Sequence, residues 1–356
     1  MKKLVEISIQ FLDIHFKIQL FGLFLLLILA VLLGLNSFGY LSMAFPARAA
    51  TCTWVGLAGD DKTASNASNW DCGTVLTTDS YIINSTSTNI SWDLSTVVDL
   101  TLGSSYTGTT SLSISGDGGE ADFNGDVAIN GGTFDSNGDD MDVYGGDFTV
   151  ASGAKVWDSR TDTLTYVRMK DGTGSLGGAG TMSIGALRIG QGAPSAAPDI
   201  TLAGDVTVAD VTSIRKGGTT YDLITLRLGS YTLTTNTFNM TKTSGSWDIN
   251  RFYGNTGTLM IMDNATISST ADNTDTQFYG ESATIDIRGK LYIGSNSDAG
   301  STEFHAGTSG TLNVNGTTTI EYGTGINADT DTLFYGQSKN LDFHGGLEML
   351  NYVGDD

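Results

Sequence analysis

An internal repeat in the second half of the chain most constrains what it can fold into. The segment Thr274–Ser282 recurs as Thr330–Ser338, and half-period copies begin at Phe252 and Phe304, so the unit is 26 to 30 residues long. One unit of this length cannot bury its own apolar face, whereas stacked units cover one another. The repeat therefore predicts a solenoid.

Within each unit the apolar residues follow one spacing: i, i+2, i+6, i+8. It occurs at Leu259, Ile261, Ala265 and Ile267; at Ile285, Ile287, Leu291 and Ile293; at Leu312, Val314, Thr318 and Ile320; at Leu341, Phe343, Leu347 and Met349; and at Ile200, Leu202, Val206 and Val208. Each pair at i and i+2 is typical of a short strand with one buried side. The three residues between the pairs usually include glycine, which lets the backbone turn. We expect an all-β parallel β-solenoid (β-helix) of about nine or ten coils over residues 100–356.

Composition and charge exclude one class of partner. The chain has 18 Lys and Arg against 39 Asp and Glu, a formal net charge of −21. Polyanion binding needs a basic stripe, and the basic residues are scattered apart from Arg215-Lys216. We therefore expect no nucleic acid partner, and an acidic surface rich in Thr, Asn and Ser that keeps the protein soluble. The alternative is that this surface binds multivalent cations.

The first 49 residues have the features of an export signal. Lys2, Lys3 and Lys17 precede an apolar run from Ile18 to Leu35, and Ala47-Arg48-Ala49 has the small-x-small form of a signal-peptidase site. The prediction is a protein that is secreted, extracellular or displayed on a cell surface. An alternative is that the run stays uncleaved as an N-terminal anchor, which would be the only membrane contact.

Residues 50–99 differ from the repeats and are predicted to cap the solenoid. They carry Trp54, Trp70 and Trp92 together with the only two cysteines, Cys52 and Cys72. In an exported chain these cysteines are expected to form a disulfide that pins the cap. At the other end the last coil stops near Met349, so we expect either further sequence or another chain or subunit stacked on the C-terminal coil.

The N-terminal segment also resembles a known module. The segments that carry the resemblance are Thr53-Trp54-Val55-Gly56, Ala67-Ser68-Asn69-Trp70 and Asp79-Ser80-Tyr81-Ile82-Ile83. It resembles the opening module of bacterial autotransporter-like and adhesin-like β-helix surface proteins, in which a Trp-x-Gly start and an Asn-Trp pair open the rod. Thr77-Thr78 stands where that module usually has proline. The resemblance implies a surface β-helix and does not specify what it contacts.

Two columns of aromatic residues follow from the repeat. Phe252, Phe278, Phe304 and Phe334 occupy one position of successive units and are followed by Tyr253, Tyr279, His305 and Tyr335. If the phenylalanines point into the core, the second set points outward. This outward stripe is a candidate surface for contacting glycans or other cell-surface material. The alternative is mutual stacking that only stiffens the rod.

One acidic turn is a candidate cation site. Asp135, Asn137 and Asp139 place side-chain oxygens at alternate positions, as a Ca²⁺ loop does. The rest of the loop does not fit, because an EF-hand would need glycine at Asp140 and glutamate at Gly146. An ordinary acidic turn is the alternative, and no other cofactor is expected.

Catalytic residues are not evident in the sequence. Asp139-Asp140 is the only suggestive carboxylate pair, adjacent strand residues point to opposite faces, and no His or Arg nearby in sequence completes a site. We therefore expect a non-enzymatic protein with a structural or adhesive role. The alternative is an enzyme of the β-helix polysaccharide lyase or glycosidase type, whose groove would lie in the less regular region 153–218.

Overall fold

The structure of the chain is a computed structural model that is almost entirely β. It describes residues 50–57, 59–114, 119–160, 165–190, 196–215, 223–242, 249–269, 275–295, 300–322, 332–337 and 340–351. The predicted export signal therefore lies outside the described residues. Over the described ranges the one helix is a single 3₁₀ turn, Ala67–Asn69, and no helix is long and apolar enough to cross a membrane.

The strands stack in three parallel ladders, one strand of each ladder per coil. The first ladder contains β1 (Thr51–Thr53), β2 (Ser80–Ile83), β5 (Leu100–Leu102), β8 (Val127–Ile129), β11 (Phe148–Val150), β14 (Thr173–Gly177), β17 (Asp199–Leu202), β19 (Leu223–Arg227), β21 (Ile249–Tyr253), β24 (Asp275–Tyr279), β27 (Ser301–His305) and β30 (Thr332–Tyr335). The second contains β3 (Ile90–Trp92), β6 (Thr109–Leu112), β9 (Thr133–Asp135), β12 (Lys155–Trp157), β15 (Thr181–Ile184), the first half of β18 (Val206–Ile214), the first half of β20 (Thr232–Lys242), β22 (Thr258–Ile261), β25 (Thr284–Ile287), β28 (Thr311–Val314) and β31 (Asn340–Phe343). The third contains β4 (Thr96–Val97), β7 (Glu120–Phe123), β10 (Asp140–Tyr144), β13 (Tyr166–Asp171), β16 (Ala186–Ile189), the second halves of β18 and β20, β23 (Ala265–Ser269), β26 (Leu291–Ser295), β29 (Thr318–Tyr322) and β32 (Leu347–Asn351).

The predicted fold class is confirmed: the chain forms a parallel β-solenoid of about ten turns. In the first ladder Phe252 pairs with Phe278 and Phe278 with Phe304, so one coil is 26 residues there. These three rings are buried and stacked, with centroids 4.5 and 4.6 Å apart. The spacing matches the distance between neighbouring strands, so each coil covers the apolar core of the next.

Glycine forms the corner between the second and third ladders in the last coils. A side chain at Gly316 would place its Cβ 2.5 Å from the carbonyl oxygen of Gly289, and one at Gly345 would meet Gly316 at 2.2 Å. Only glycine allows the backbones of successive coils to approach this closely. In β18 and β20 the corner has no glycine, and each strand runs through it from one ladder to the next.

One turn differs in length from its neighbours. The turn between β24 and β25 has four residues, whereas the turn between β27 and β28 has five. The flanking strands nevertheless keep their register, because Phe278 pairs with Phe304 and Ile285 pairs with Leu312. The extra residue is therefore absorbed entirely in the turn.

The segment predicted as a cap packs around tryptophan. The rings of Trp54, Tyr81 and Trp92 pack edge-on against Trp70, at centroid distances of 5.1, 4.7 and 6.3 Å. Trp70 Nε1 donates to the carbonyl of Ala64 at 2.7 Å. β1 to β4 of this segment already belong to the ladders, so residues 50–99 supply both the N-terminal turns and the first coil strands.

The Asn-Trp pair of the N-terminal module has a structural role. Asn69 is fully buried, and its side-chain amide donates to the carbonyls of Asp61 and Thr63, both at 3.0 Å. These bonds hold the loop in place beside the Trp70 ring. Asp79, which follows in the motif, accepts the backbone N–H of Ala50 at 3.0 Å. The residues that carry the resemblance therefore assemble the start of the solenoid.

Cys52 and Cys72 form the predicted disulfide, with Cα atoms 5.3 Å apart. Reduction, or the double change Cys52→Ser and Cys72→Ser, is expected to destabilise the cap by about 3 kcal/mol, because the bond closes a loop of 20 residues. Mass spectrometry of peptides from the unreduced protein should recover the cross-linked pair. Two free thiols in protein collected outside the cell would contradict both the bond and the pinned cap.

The last described coil leaves apolar side chains open. Leu347 is 47% exposed and Met349 is 74% exposed, whereas their partners one coil earlier, Thr318 and Ile320, are 0% and 6% exposed. Stacking of another chain or subunit on this coil stays a prediction.

Candidate functional site

The outward aromatic column lies on the first ladder, as the sequence predicts. The ring of Tyr253 stacks on Tyr279, Tyr279 on His305, and His305 on Tyr335, with centroid distances of 5.1, 4.8 and 4.3 Å and interplanar angles of 14°, 25° and 14°. Strand register places these residues directly above one another. The candidate stripe is therefore a continuous stack over four coils.

A cation extends the column at its N-terminal end. The guanidinium of Arg227 lies 4.5 Å from the centre of the Tyr253 ring, and its Nε donates to Asp199 Oδ1 at 2.9 Å. A cation over a tyrosine face is attractive, so Arg227 covers the outer face of the first ring. The salt bridge with Asp199 raises the pKa of Arg227.

Stacking decides which parts of the column a partner can reach. Each ring from Tyr253 to His305 has both faces covered by the neighbours above and below. A sugar ring cannot stack on a face that is already covered. The column therefore presents ring edges and the tyrosine hydroxyls, and Tyr335, 41% exposed, is its most open member.

A polar groove of about 570 Å³ runs beside the column. It is lined by Asn255, Thr256, Tyr279, Glu281, Ser282, His305, Gly307, Thr308 and Gln337. Two of the column's residues, Tyr279 and His305, thus form one wall, and amide, hydroxyl and carboxylate groups form the others. No short sequence motif marks the groove, because its residues come from four successive coils.

The candidate Ca²⁺ turn uses its oxygens within the protein. Asp135 Oδ1 accepts the backbone N–H of Asn137 at 3.0 Å and that of Ser159 at 2.9 Å. Asp139 Oδ2 accepts the N–H of Ile114 at 2.8 Å. Asn137 has a left-handed backbone and donates to the carbonyl of Leu112 at 2.9 Å. These bonds join the turn to both neighbouring coils, an arrangement that favours the alternative of an ordinary acidic turn.

The structure reveals a charged cluster that the sequence does not predict. It lies on the outer side of the third ladder and comprises Glu120, Asp122, Asp140, Asp142, Arg168 and Lys170. Arg168 bonds both Asp140 and Asp142 from the following coil. Arg168 lies 28 positions after Asp140 in the sequence, and the stacking of the coils brings it beside that carboxylate.

A lysine ammonium occupies the centre of this cluster. Lys170 Nζ contacts Asp142 Oδ2, lies 3.0 Å from Glu120 Oε1 and donates to the Tyr144 hydroxyl at 3.0 Å. One carboxylate oxygen each of Glu120, Asp122 and Asp142 lies within 4.8 Å of the others, a spacing that a metal ion also uses. Here the protein's own ammonium lies among these carboxylates.

Burial dominates the electrostatics of the cluster. Asp142 is fully buried. Burial raises the pKa of the Asp122 carboxyl, and the nearby Glu120 carboxylate adds to that shift. Burial also raises the pKa of Tyr144 to about 12, with the Asp122 carboxylate as the next cause. With so little water nearby, removing either partner of an ion pair leaves an uncompensated charge and strongly destabilises the fold. The cluster therefore has the properties of a structural network.

The described ladders define the class: a parallel β-solenoid that carries an aromatic column, a polar groove beside it and a charged cluster around the buried Asp142. Comparison of the chain with protein-family models, with curated proteins and with solved structures finds no match.

Proposed function

We propose that this protein is a secreted or surface-displayed β-solenoid with a structural or adhesive role, which contacts glycans or other surface material through the first ladder. The observation that carries the proposal is the aromatic column with its adjoining groove, continuous over the coils from β21 to β30. A contact surface repeated along a rigid rod suits multivalent attachment, in which weak sites add up to strong retention.

The chemistry of the carboxylates supports a non-enzymatic role over the alternative of a polysaccharide lyase or glycosidase. A catalytic carboxylate must reach the atoms of the substrate. Asp142 has no exposed surface, and Arg168 and Lys170 already neutralise it. The cluster is therefore better suited to holding three coils together than to proton transfer with a substrate.

Replacing both Tyr279 and Tyr335 with alanine is expected to abolish retention of the full chain on its surface material while the protein stays folded. The measurement is retention on a broad panel of immobilised glycans and on host-surface material, with circular dichroism as the check of folding. The matched control is Tyr292→Ala, since Tyr292 lies outward on the third ladder and bonds Glu321 instead of the column.

Unchanged retention of the double variant would leave the column as a stiffening element and contradict its adhesive role. Equal loss in the control variant would show that retention follows general surface properties and not this column.

A further inference from the structure

In the last five coils, from β19 to β30, the second residue after each strand of the first ladder has a positive φ. Gly229, Asn255, Glu281, Gly307 and Gln337 have φ values of 63°, 48°, 48°, 114° and 47°. Glycine adopts this conformation freely, whereas other residues are strained in it. Two of the three non-glycine residues, Asn255 and Glu281, compensate with hydrogen bonds accepted by their side chains.

These hydrogen bonds join equivalent turn residues of successive coils. Asn255 Oδ1 accepts the backbone N–H of Gly229 at 3.2 Å, and Glu281 Oε2 accepts the backbone N–H of Asn255 at 2.7 Å. Each side chain thus satisfies the amide of the coil before it. The equivalent residue of the next coil, at position 307, would have to accept the backbone N–H of Glu281.

The series is interrupted at Gly307, which has no side chain to accept a hydrogen bond. Within the described part of the chain, the backbone N–H groups of Glu281 and Gly307 and the side-chain amide of Gln337 have no hydrogen-bond partner. All three residues line the groove. The groove is open to solvent and Gln337 is exposed, so water accepts these donors until a ligand oxygen replaces it.

The lining chemistry selects the kind of acceptor. A sugar hydroxyl accepts from an N–H and donates to a carboxylate or amide oxygen, and the groove offers both kinds of partner at Glu281 and Gln337. The Glu281 carboxylate, within a chain of net charge −21, disfavours acidic sugars. A volume of about 570 Å³ falls in the range of roughly 300–1,000 Å³ that is usual for ligand sites.

We propose that this groove binds a neutral oligosaccharide, whose hydroxyl oxygens accept the backbone N–H groups of Glu281 and Gly307 in the groove wall. The inference rests on the proposed adhesive function and assigns its ligand class: the sugar lies in the groove, against the edges of Tyr279 and His305, and not on the ring faces.

Titration calorimetry of the full chain with neutral tetrasaccharides of glucose, mannose and galactose tests the proposal. Ser282 is exposed at the groove wall, so Ser282→Trp fills the groove and should weaken binding at least tenfold. The matched control is Thr181→Trp, an exposed position on β15 far from the groove. Gln337→Ala removes one polar partner and should weaken binding by about three- to tenfold.

Discrimination between neutral and acidic sugars gives an independent test of the proposal. The wild-type chain should bind the neutral tetrasaccharides and reject a tetragalacturonate of the same length. Glu281→Gln keeps an oxygen that accepts the Asn255 N–H but removes the negative charge. This variant should gain affinity for the acidic sugar by about fivefold or more.

The outcomes separate this inference from the proposed function. If the wild-type chain is retained on glycans and Ser282→Trp binds as tightly as Thr181→Trp, the groove is overturned as the sugar site while the adhesive role stands. If no neutral tetrasaccharide binds in solution, the groove assignment fails, and the adhesive role still depends on retention by the column variants. If tetragalacturonate binds as well as the neutral sugars, the assigned ligand class is wrong.

Discussion

Replacing Phe278 with alanine is expected to lower the free energy of unfolding by about 3–5 kcal/mol. The ring is 1% exposed and lies between Phe252 and Phe304, at centroid distances of 4.5 and 4.6 Å. Its removal leaves a cavity that neither neighbour can fill, because both are fixed by the register of their own coils. Urea denaturation followed by circular dichroism measures the change.

Tyr279→Ala is the matched control, since it removes the next ring along the same strand from the outer side. The ring of Tyr279 stacks on Tyr253 and His305 at similar distances, 5.1 and 4.8 Å, but less of the Tyr279 side chain is buried on folding. We expect a much smaller loss, about 1 kcal/mol for the aromatic contacts. Equal destabilisation by the two variants would contradict the assignment of inner and outer columns.

Replacing Lys170 with methionine is expected to cost about 3–5 kcal/mol as well, for an electrostatic reason. The change removes the ammonium that contacts Asp142 and leaves a fully buried carboxylate with only Arg168 to balance it. Several nearby carboxylates then repel one another with little water to screen them. The same urea denaturation measures this loss.

Two further variants isolate the charge. Lys290→Met removes a lysine whose residue is exposed and should change stability by no more than about 0.5 kcal/mol. Adding Asp142→Asn to Lys170→Met removes the unbalanced charge and should recover much of the loss. If Lys170→Met is as mild as Lys290→Met, the ammonium does not neutralise the cluster.

The repeat predicts the solenoid because its period is written directly in the sequence. Each coil must return to the same place above the last one, so Phe252, Phe278 and Phe304 recur at one interval. Burial then follows from the alternation along a strand, which sets Phe278 inward and Tyr279 outward. The same reasoning accounts for the order of the outward column.

Phase along the coil is harder to predict than period. The spacing i, i+2, i+6, i+8 at Leu259–Ile267 joins the second and third ladders, whereas the same spacing at Ile200–Val208 joins the first and second. Each corner consists of a strand, a short turn and a second strand, so the same apolar spacing fits both corners. Aligning these segments by spacing alone therefore shifts one of them by a ladder.

The charged cluster and the groove escape sequence reasoning for a different reason. Their members are separated by whole coils, as Glu120 and Lys170 are by 50 residues, and each looks like an ordinary surface residue in its own unit. A side chain at Gly307 would place its Cβ 2.0 Å from the carbonyl oxygen of Glu281, so only glycine lets these two coils approach so closely. Only the register between coils turns such isolated positions into one site.

The five-residue turn between β27 and β28 has a consequence for how such a chain can change over evolutionary time. The extra residue in this turn leaves the strand register unchanged, because Phe278 still pairs with Phe304 and Ile285 with Leu312. Inside a strand the same insertion would reverse which side of every later residue faces the core. We therefore expect lineages of this protein to vary freely in turn length, and to lengthen or shorten the rod itself by duplicating or deleting whole coils.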